Sequence, residues 1–250
     1  METTTPVAAG VPEAPGRINH LGRILGVFFS PKPTFEDIVR RPTWVLPVAL
    51  MTVLGLLTAF FLNQKVDWRD VAAKRIEDSP RAANLSAEQK EKQIDMSAKI
   101  SPVVSYCFGV FLPILSVLVA AFTLWLAYNV IGGAGSSFGT AMGIVAHAFV
   151  VSLVSGVLFI VILLLKAPGT VDLDNPVAAN VGAFLPETTP KALMSLGRSL
   201  DIFTIWTLLL IAIGFAAVNP KKLKGKALSI AIAVWAVWVA VKMGGAWIFS

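Results

Sequence analysis

The chain has 250 residues, 56% of them hydrophobic and only 14% charged, with a net charge of +6. Soluble domains carry roughly 25% charged residues, so an ordinary soluble fold is excluded. A single cysteine, Cys107, excludes an internal disulfide and a cysteine-rich metal cage.

No Asp, Glu, Lys or Arg occurs in the sixty-six residues from Ile100 through Leu165. As one helix they would extend about 99 Å at ~1.5 Å per residue, against a bilayer hydrocarbon core of roughly 30 Å. The stretch must therefore reverse, and Gly132-Gly133-Ala134-Gly135-Ser136-Ser137 supplies the backbone freedom for it. Spans in lipid are helices or closed barrels. The apolar runs here do not alternate with polar residues, so the chain reads as an all-α integral membrane protein.

In chain order, residues 1–16 carry two acids and no base among Thr, Pro and Ala, which reads as a disordered tail and not a secretory signal. Residues 17–42 read as an amphipathic interfacial segment. Ile18, Leu21, Ile24, Leu25 and Phe28 fall at helical spacing, with Asn19, His20 and Arg23 opposite, and the helix is too short to span. Ser30-Pro31-Lys32-Pro33 breaks it. Thr34 and Asp37 have the spacing of a capping box for a second short helix, which Arg40-Arg41-Pro42 ends.

Residues 43–250 read as a five-helix transmembrane domain, with spans at 43–62, 103–131, 139–165, 201–218 and 227–249. Trp44 and Trp247 stand at span ends, where interfacial tryptophans concentrate. Pro113 is expected to kink the second span, and Cys107 to be a packed, inert thiol. On the third, Gly139-x-x-x-Gly143 and Ser152-x-x-x-Gly156 offer small faces for close packing. Gly132, Gly133 and Gly135 at the reversal join them as packing positions.

Two connections are long. Residues 63–102 hold eight Lys/Arg and seven Asp/Glu, and Ser86 with Gln89 forms a capping box for a helical stretch reaching about Lys99. Residues 166–200 are loop until Pro190, after which Leu193, Met194, Leu196 and Leu200 suggest a helix leading into the fourth span. Asp172 and Asp174 fall short of the six to eight oxygens that calcium prefers and read as solvated loop.

Five spans put the termini on opposite faces. Nine Lys/Arg lie on the N-terminal side and eleven on the other, but short loops weigh more than long ones. Lys221, Lys222, Lys224 and Lys226 crowd one short loop, and Arg40 and Arg41 abut the first span. The N-terminus is therefore expected inside and the C-terminus outside, with these six bases touching anionic lipid headgroups. Bases spread along membrane flanks in this way argue against nucleic acid as a partner.

Ionisable groups within spans are functional candidates. Asp201 and Lys242 lie at similar distances from the middle of the loop joining spans four and five, so an ion pair at one membrane level is expected. His147 and Thr123 are equidistant from the Gly reversal and are expected to hydrogen-bond across spans two and three. Neither pair suggests a metal or a cofactor. No H-E-x-x-H, G-x-S-x-G or P-loop is present, so no enzyme is expected.

Ser30-Pro31-Lys32-Pro33-Thr34-Phe35-Glu36, followed by Arg41-Pro42-Thr43-Trp44-Val45-Leu46-Pro47, resembles the start of bacterial Yip1-domain proteins. Asp201-Ile202-Phe203-Thr204-Ile205-Trp206, continuing to Gly214, resembles that family's fourth-span signature, and Val145-Ala146-His147-Ala148 fits its third span. The likeness covers about residues 20–249. It implies a five-helix membrane protein with a cytosolic N-terminus. Eukaryotic relatives are linked to vesicle traffic, membrane shaping and prenylated small GTPases. Here Ile-Phe-Thr-Ile-Trp follows Asp201 where those relatives have a Leu-Tyr-Gly-Pro type of sequence, so the fold is carried over and the GTPase partner is not. The expected role is membrane organisation or scaffolding in a bacterial plasma membrane, with lipid, protein partners or a second copy as its contacts. The alternative is a small-solute or ion transporter or channel subunit.

Overall fold

The computed structural model describes residues 17–248 apart from residues 168 and 187; the expected tail at 1–16 lies outside the described residues. Among the described residues every regular element is a helix, beside one isolated backbone bridge between Asn180 and Asp201.

Two short helices come first, α1 (His20–Phe29) and α2 (Pro31–Arg40). Asn19 caps α1 by accepting from the Gly22 N–H at 2.6 Å. The capping box expected at Thr34 and Asp37 does not form. Pro31 already occupies the first turn of α2, where its missing N–H costs nothing and its fixed φ suits a helix. Thr34 instead donates its hydroxyl to the Ser30 carbonyl at 2.8 Å, and Asp37 turns toward α1.

Next are α3 (Val45–Lys65), α4 (Trp68–Glu77) and α5 (Ala87–Val130). The Ser86–Gln89 capping box opens α5, but the helix does not stop near Lys99. It continues through Pro102 and Pro113 for 44 residues. A proline within a helix removes one backbone bond; in the stretch before Pro102, α4 pairs with α5 where Arg69 bridges Glu91 and Asp95. Asp95 and then Glu91 raise the Arg69 pKa above its ordinary value.

The third expected span is two helices, α6 (Phe138–Ala148) and α7 (Val151–Leu165). At the break the Val150 N–H bonds to the His147 carbonyl at 3.2 Å and that of Leu153 to Val150 at 3.0 Å, the tighter three-residue spacing of a 3₁₀ turn. The chain ends with α8 (Lys191–Ser199), α9 (Ile202–Val218), α10 (Pro220–Leu223) and α11 (Ala227–Ile248).

Four helical stretches are long and apolar enough to cross a membrane: Val45–Lys65, Ala87–Val130, Phe138–Leu165 and Ala227–Ala246. The expected fourth span is the shorter apolar helix α9, of 17 residues. Side chains on the outer surface are largely apolar, with Phe108, Phe111 and Phe122 of α5 all more than half exposed. Cys107 lies on this surface too and is exposed, not packed. That is what a lipid-facing surface requires.

Helices meet where side chains are smallest. Gly55 on α3 and Gly109 on α5 cross so closely that a Cβ on Gly55 would lie 2.6 Å from the Gly109 carbonyl oxygen. Gly214 on α9 receives the Phe35 ring. Of the expected glycine contacts, Gly143 meets Ile38 and Pro42, whereas Gly139 has only its near neighbour Ser137 Oγ, 3.8 Å from an added Cβ. At the reversal, Gly133 and Gly135 have φ of 65° and 71°, while Gly132 packs against Leu223 and Ile230. This hairpin end of the bundle is locked by Tyr128, which stacks on Phe215 at 3.9 Å and donates its hydroxyl to the Ala227 carbonyl at 2.6 Å. The opposite, loop end holds α4, residues 166–190 and α8.

Candidate functional site

Most charged side chains lie at the surface, but Arg23 and Asp37 are each 2% exposed. Arg23 Nε donates to Asp37 Oδ2 at 2.8 Å, and Nη2 lies 2.7 Å from the same oxygen. Nη1 donates to the Arg41 carbonyl at 3.0 Å and to Thr43 Oγ1 at 2.8 Å. The pair ties α1 to α2 and to the start of α3. With Arg23 turned inward, Leu21, Leu25 and Phe29 point outward at 66%, 61% and 84% exposure. Phe28 packs edge-on against Trp206 while Phe35 meets Gly214, so the helix pair lies along α9. Helical spacing put Arg23 opposite Leu21 and Leu25, but on the outer, polar side and not in the core. That Arg23 finds an acid fourteen residues away depends on the tertiary fold, which no local pattern records.

The expected intramembrane pairs form differently. His147 is buried, and its Nδ1 lies 2.8 Å from the Gly143 carbonyl oxygen, one turn back on its own helix. Thr123 also bonds within its helix, to the Val119 and Ala120 carbonyls. His147 and Thr123 therefore do not bond to each other, because each is satisfied locally. Asp201 caps α9: Oδ1 accepts from the Phe203 and Thr204 N–H groups, each at 2.9 Å, and Oδ2 from the Thr204 hydroxyl. With its oxygens engaged, Asp201 makes no ion pair with Lys242. Lys242 Nζ donates instead to Ser199 Oγ at 3.0 Å. Lys242 thus meets the residue two positions before Asp201 and not Asp201 itself.

Asp201 and Thr123 do share one environment, a cavity of about 640 Å³ among α5, α7, α9, α11 and the loop 175–180. The size falls within the roughly 300–1,000 Å³ typical of small-molecule sites. Its walls are mainly apolar, including Phe203, Trp235 and Trp238, with Arg198, Asn175 and Asn180 at the loop end. The loop is stitched across by Asn180 Nδ2 donating to Asn175 Oδ1 at 2.6 Å. It is tied to α9 by the Val181 N–H bonding to the Leu200 carbonyl and the Ile202 N–H to Ala179. Ala178 takes a left-handed φ of 52° at the turn. Arg198 was not singled out by sequence reading, because it sits in an ordinary amphipathic helix and the cavity arises only from how the helices diverge.

Arg40, Arg41, Lys221, Lys222, Lys224 and Lys226 are exposed, and the four lysines lie in and just after α10 at the hairpin end. Among the described residues no group of three or more His, Cys, Asp or Glu side chains gathers as a metal site.

Long apolar helices, an apolar outer surface and inward-turned charges define a multi-pass helical membrane protein. The chain belongs to the Yip1 domain family, whose model matches residues 25–244. Neither a curated protein nor a solved structure matches it.

Proposed function

We propose that this protein organises the bilayer or scaffolds other proteins in a bacterial plasma membrane and is not an enzyme. The observation that carries this reading is the N-terminal helix pair. The buried Arg23–Asp37 bond holds α1 so that Leu21, Leu25 and Phe29 form an outward apolar ridge, suited to the boundary between headgroups and acyl chains. In this reading α1 starts at the interface and packs down along α9 as far as Trp206. The 17-residue α9, about 25 Å at ~1.5 Å per residue, is a fifth crossing, with the N-terminus inside and the C-terminus outside. The exposed bases at the hairpin end then face the anionic inner leaflet.

Transport is the competing reading. A solute path needs its ionisable groups wet and available, whereas His147 is dry and bonded to its own helix and both oxygens of Asp201 are engaged. In-membrane crosslinking of a tagged copy in its host, followed by mass spectrometry, tests the proposal. A reproducible set of partner proteins is expected; recovery of this chain alone would count against scaffolding and favour transport assays in liposomes.

A further inference from the structure

The cavity has the polarity of an amphiphile. Arg198 Nε is buried and has no hydrogen-bond partner, and among the described residues no carboxylate lies within ion-pair distance of its guanidinium. An unsatisfied charged donor is costly, and a guanidinium is matched best by the paired oxygens of a phosphate or carboxylate. The side chain is held in place, since Gly182 packs so tightly on it that an added Cβ would lie 2.7 Å from Arg198 Cγ. Asp201, the nearest acid along the chain, is occupied by its own helix N-terminus and Thr204. Lys242 on Ser199 adds a second cation at this end.

Below Arg198 the cavity becomes apolar and opens sideways. Helices α5 and α11 touch at the hairpin end, through Tyr128 with Ala227 and Gly132 with Ile230. Toward the loop end they part, and Val119 and Trp238, which line the cavity, are also exposed on the outer surface. The gap is a window from the acyl-chain region into the bundle, with a cation at its outer end. We propose that this cavity binds one anionic phospholipid of the loop-end leaflet, with its phosphate on Arg198 and an acyl chain between α5 and α11. Such a site is independent of the organising role proposed above, and either can fail alone.

The test uses the purified full chain in detergent with phosphatidylglycerol bearing a photoactivatable acyl chain, and adducts mapped by mass spectrometry. Adducts are expected on cavity-lining segments of α9 and α11. A diacylglycerol probe, which has the acyl chains without the phosphate, should label them about tenfold less, the scale of one charge-assisted hydrogen bond. Excess inorganic phosphate should leave labelling unchanged. Arg198→Gln should reduce phosphatidylglycerol labelling to the diacylglycerol level, with partial rescue in Arg198→Lys. Thr207→Trp, which fills the cavity and spares Arg198, should abolish labelling. Equal labelling by the two lipids in the unaltered protein, undiminished labelling in Arg198→Gln or Thr207→Trp, or displacement by phosphate alone would each overturn the proposal.

Discussion

Removing either member of the Arg23–Asp37 pair leaves the other charge buried without its partner, an effect of about 3–5 kcal/mol in comparable settings. Arg23→Ala and Asp37→Ala should therefore each lower the melting temperature in detergent sharply. Arg23→Met combined with Asp37→Leu should recover much of the loss, because an apolar pair leaves no charge stranded. At the loop end, Asp201→Ala should remove a helix cap worth roughly 0.5–2 kcal/mol. Since Lys242 bonds to Ser199 instead, the effects of Asp201→Ala and Lys242→Ala should add, whereas Lys242→Ala and Ser199→Ala should not. Double-mutant melting curves check both. That Lys242 comes close to the start of α9 was legible because helix rise converts sequence distance to height along a hairpin. The partners of Asp201 and Lys242 were not, because a carboxylate that can accept two backbone N–H groups at a helix start no longer needs the distant lysine.

For whole helices, the α3–α5 crossing at Gly55 and Gly109 is the sharpest packing constraint. Gly109→Val places side-chain atoms where a bare Cβ would already lie 2.8 Å from Gly55 backbone. It should lower stability by at least the ~1–3 kcal/mol typical of overpacking. Gly139→Ala meets nothing closer than 3.8 Å and should be neutral or stabilising, since Ala exceeds Gly in helix propensity by up to about 1 kcal/mol. Thermal unfolding of the two variants side by side gives the contrast. Long apolar runs made the main helices legible, and the Gly reversal fixed where α5 turns back. The break at Phe149-Val150 was not legible, having neither glycine nor proline to mark it. Nor was the Gly55–Gly109 crossing, because the two residues belong to different helices and form no motif within either.

The molecule as a whole has a handed arrangement of ends that is open to direct measurement. In a Cys107→Ser background, a cysteine at Lys90 should react with a membrane-impermeant maleimide on intact cells. A cysteine at Lys221 should react only after permeabilisation. The reverse pattern would invert the orientation, and equal labelling of both from outside would remove α9 as a crossing. The cavity, too, exists only at this scale: its walls come from α5, α7, α9, α11, a loop and the end of α8, and Arg198 becomes noticeable only once they are assembled.

The N-terminal helix pair also imposes a schedule on biogenesis. It leaves the ribosome first, yet Gly214, the residue that receives Phe35, is made 179 positions later. At about 5–20 residues per second that is a delay of roughly 10–35 seconds. Throughout it, Arg23 and Asp37 can neutralise each other while Phe35 lacks its seat on Gly214. The pair therefore waits as a preassembled unit and completes its docking only when α9 arrives, so a chain interrupted before α9 would leave Phe35 uncovered, a mark by which quality control can tell an unfinished copy from a finished one.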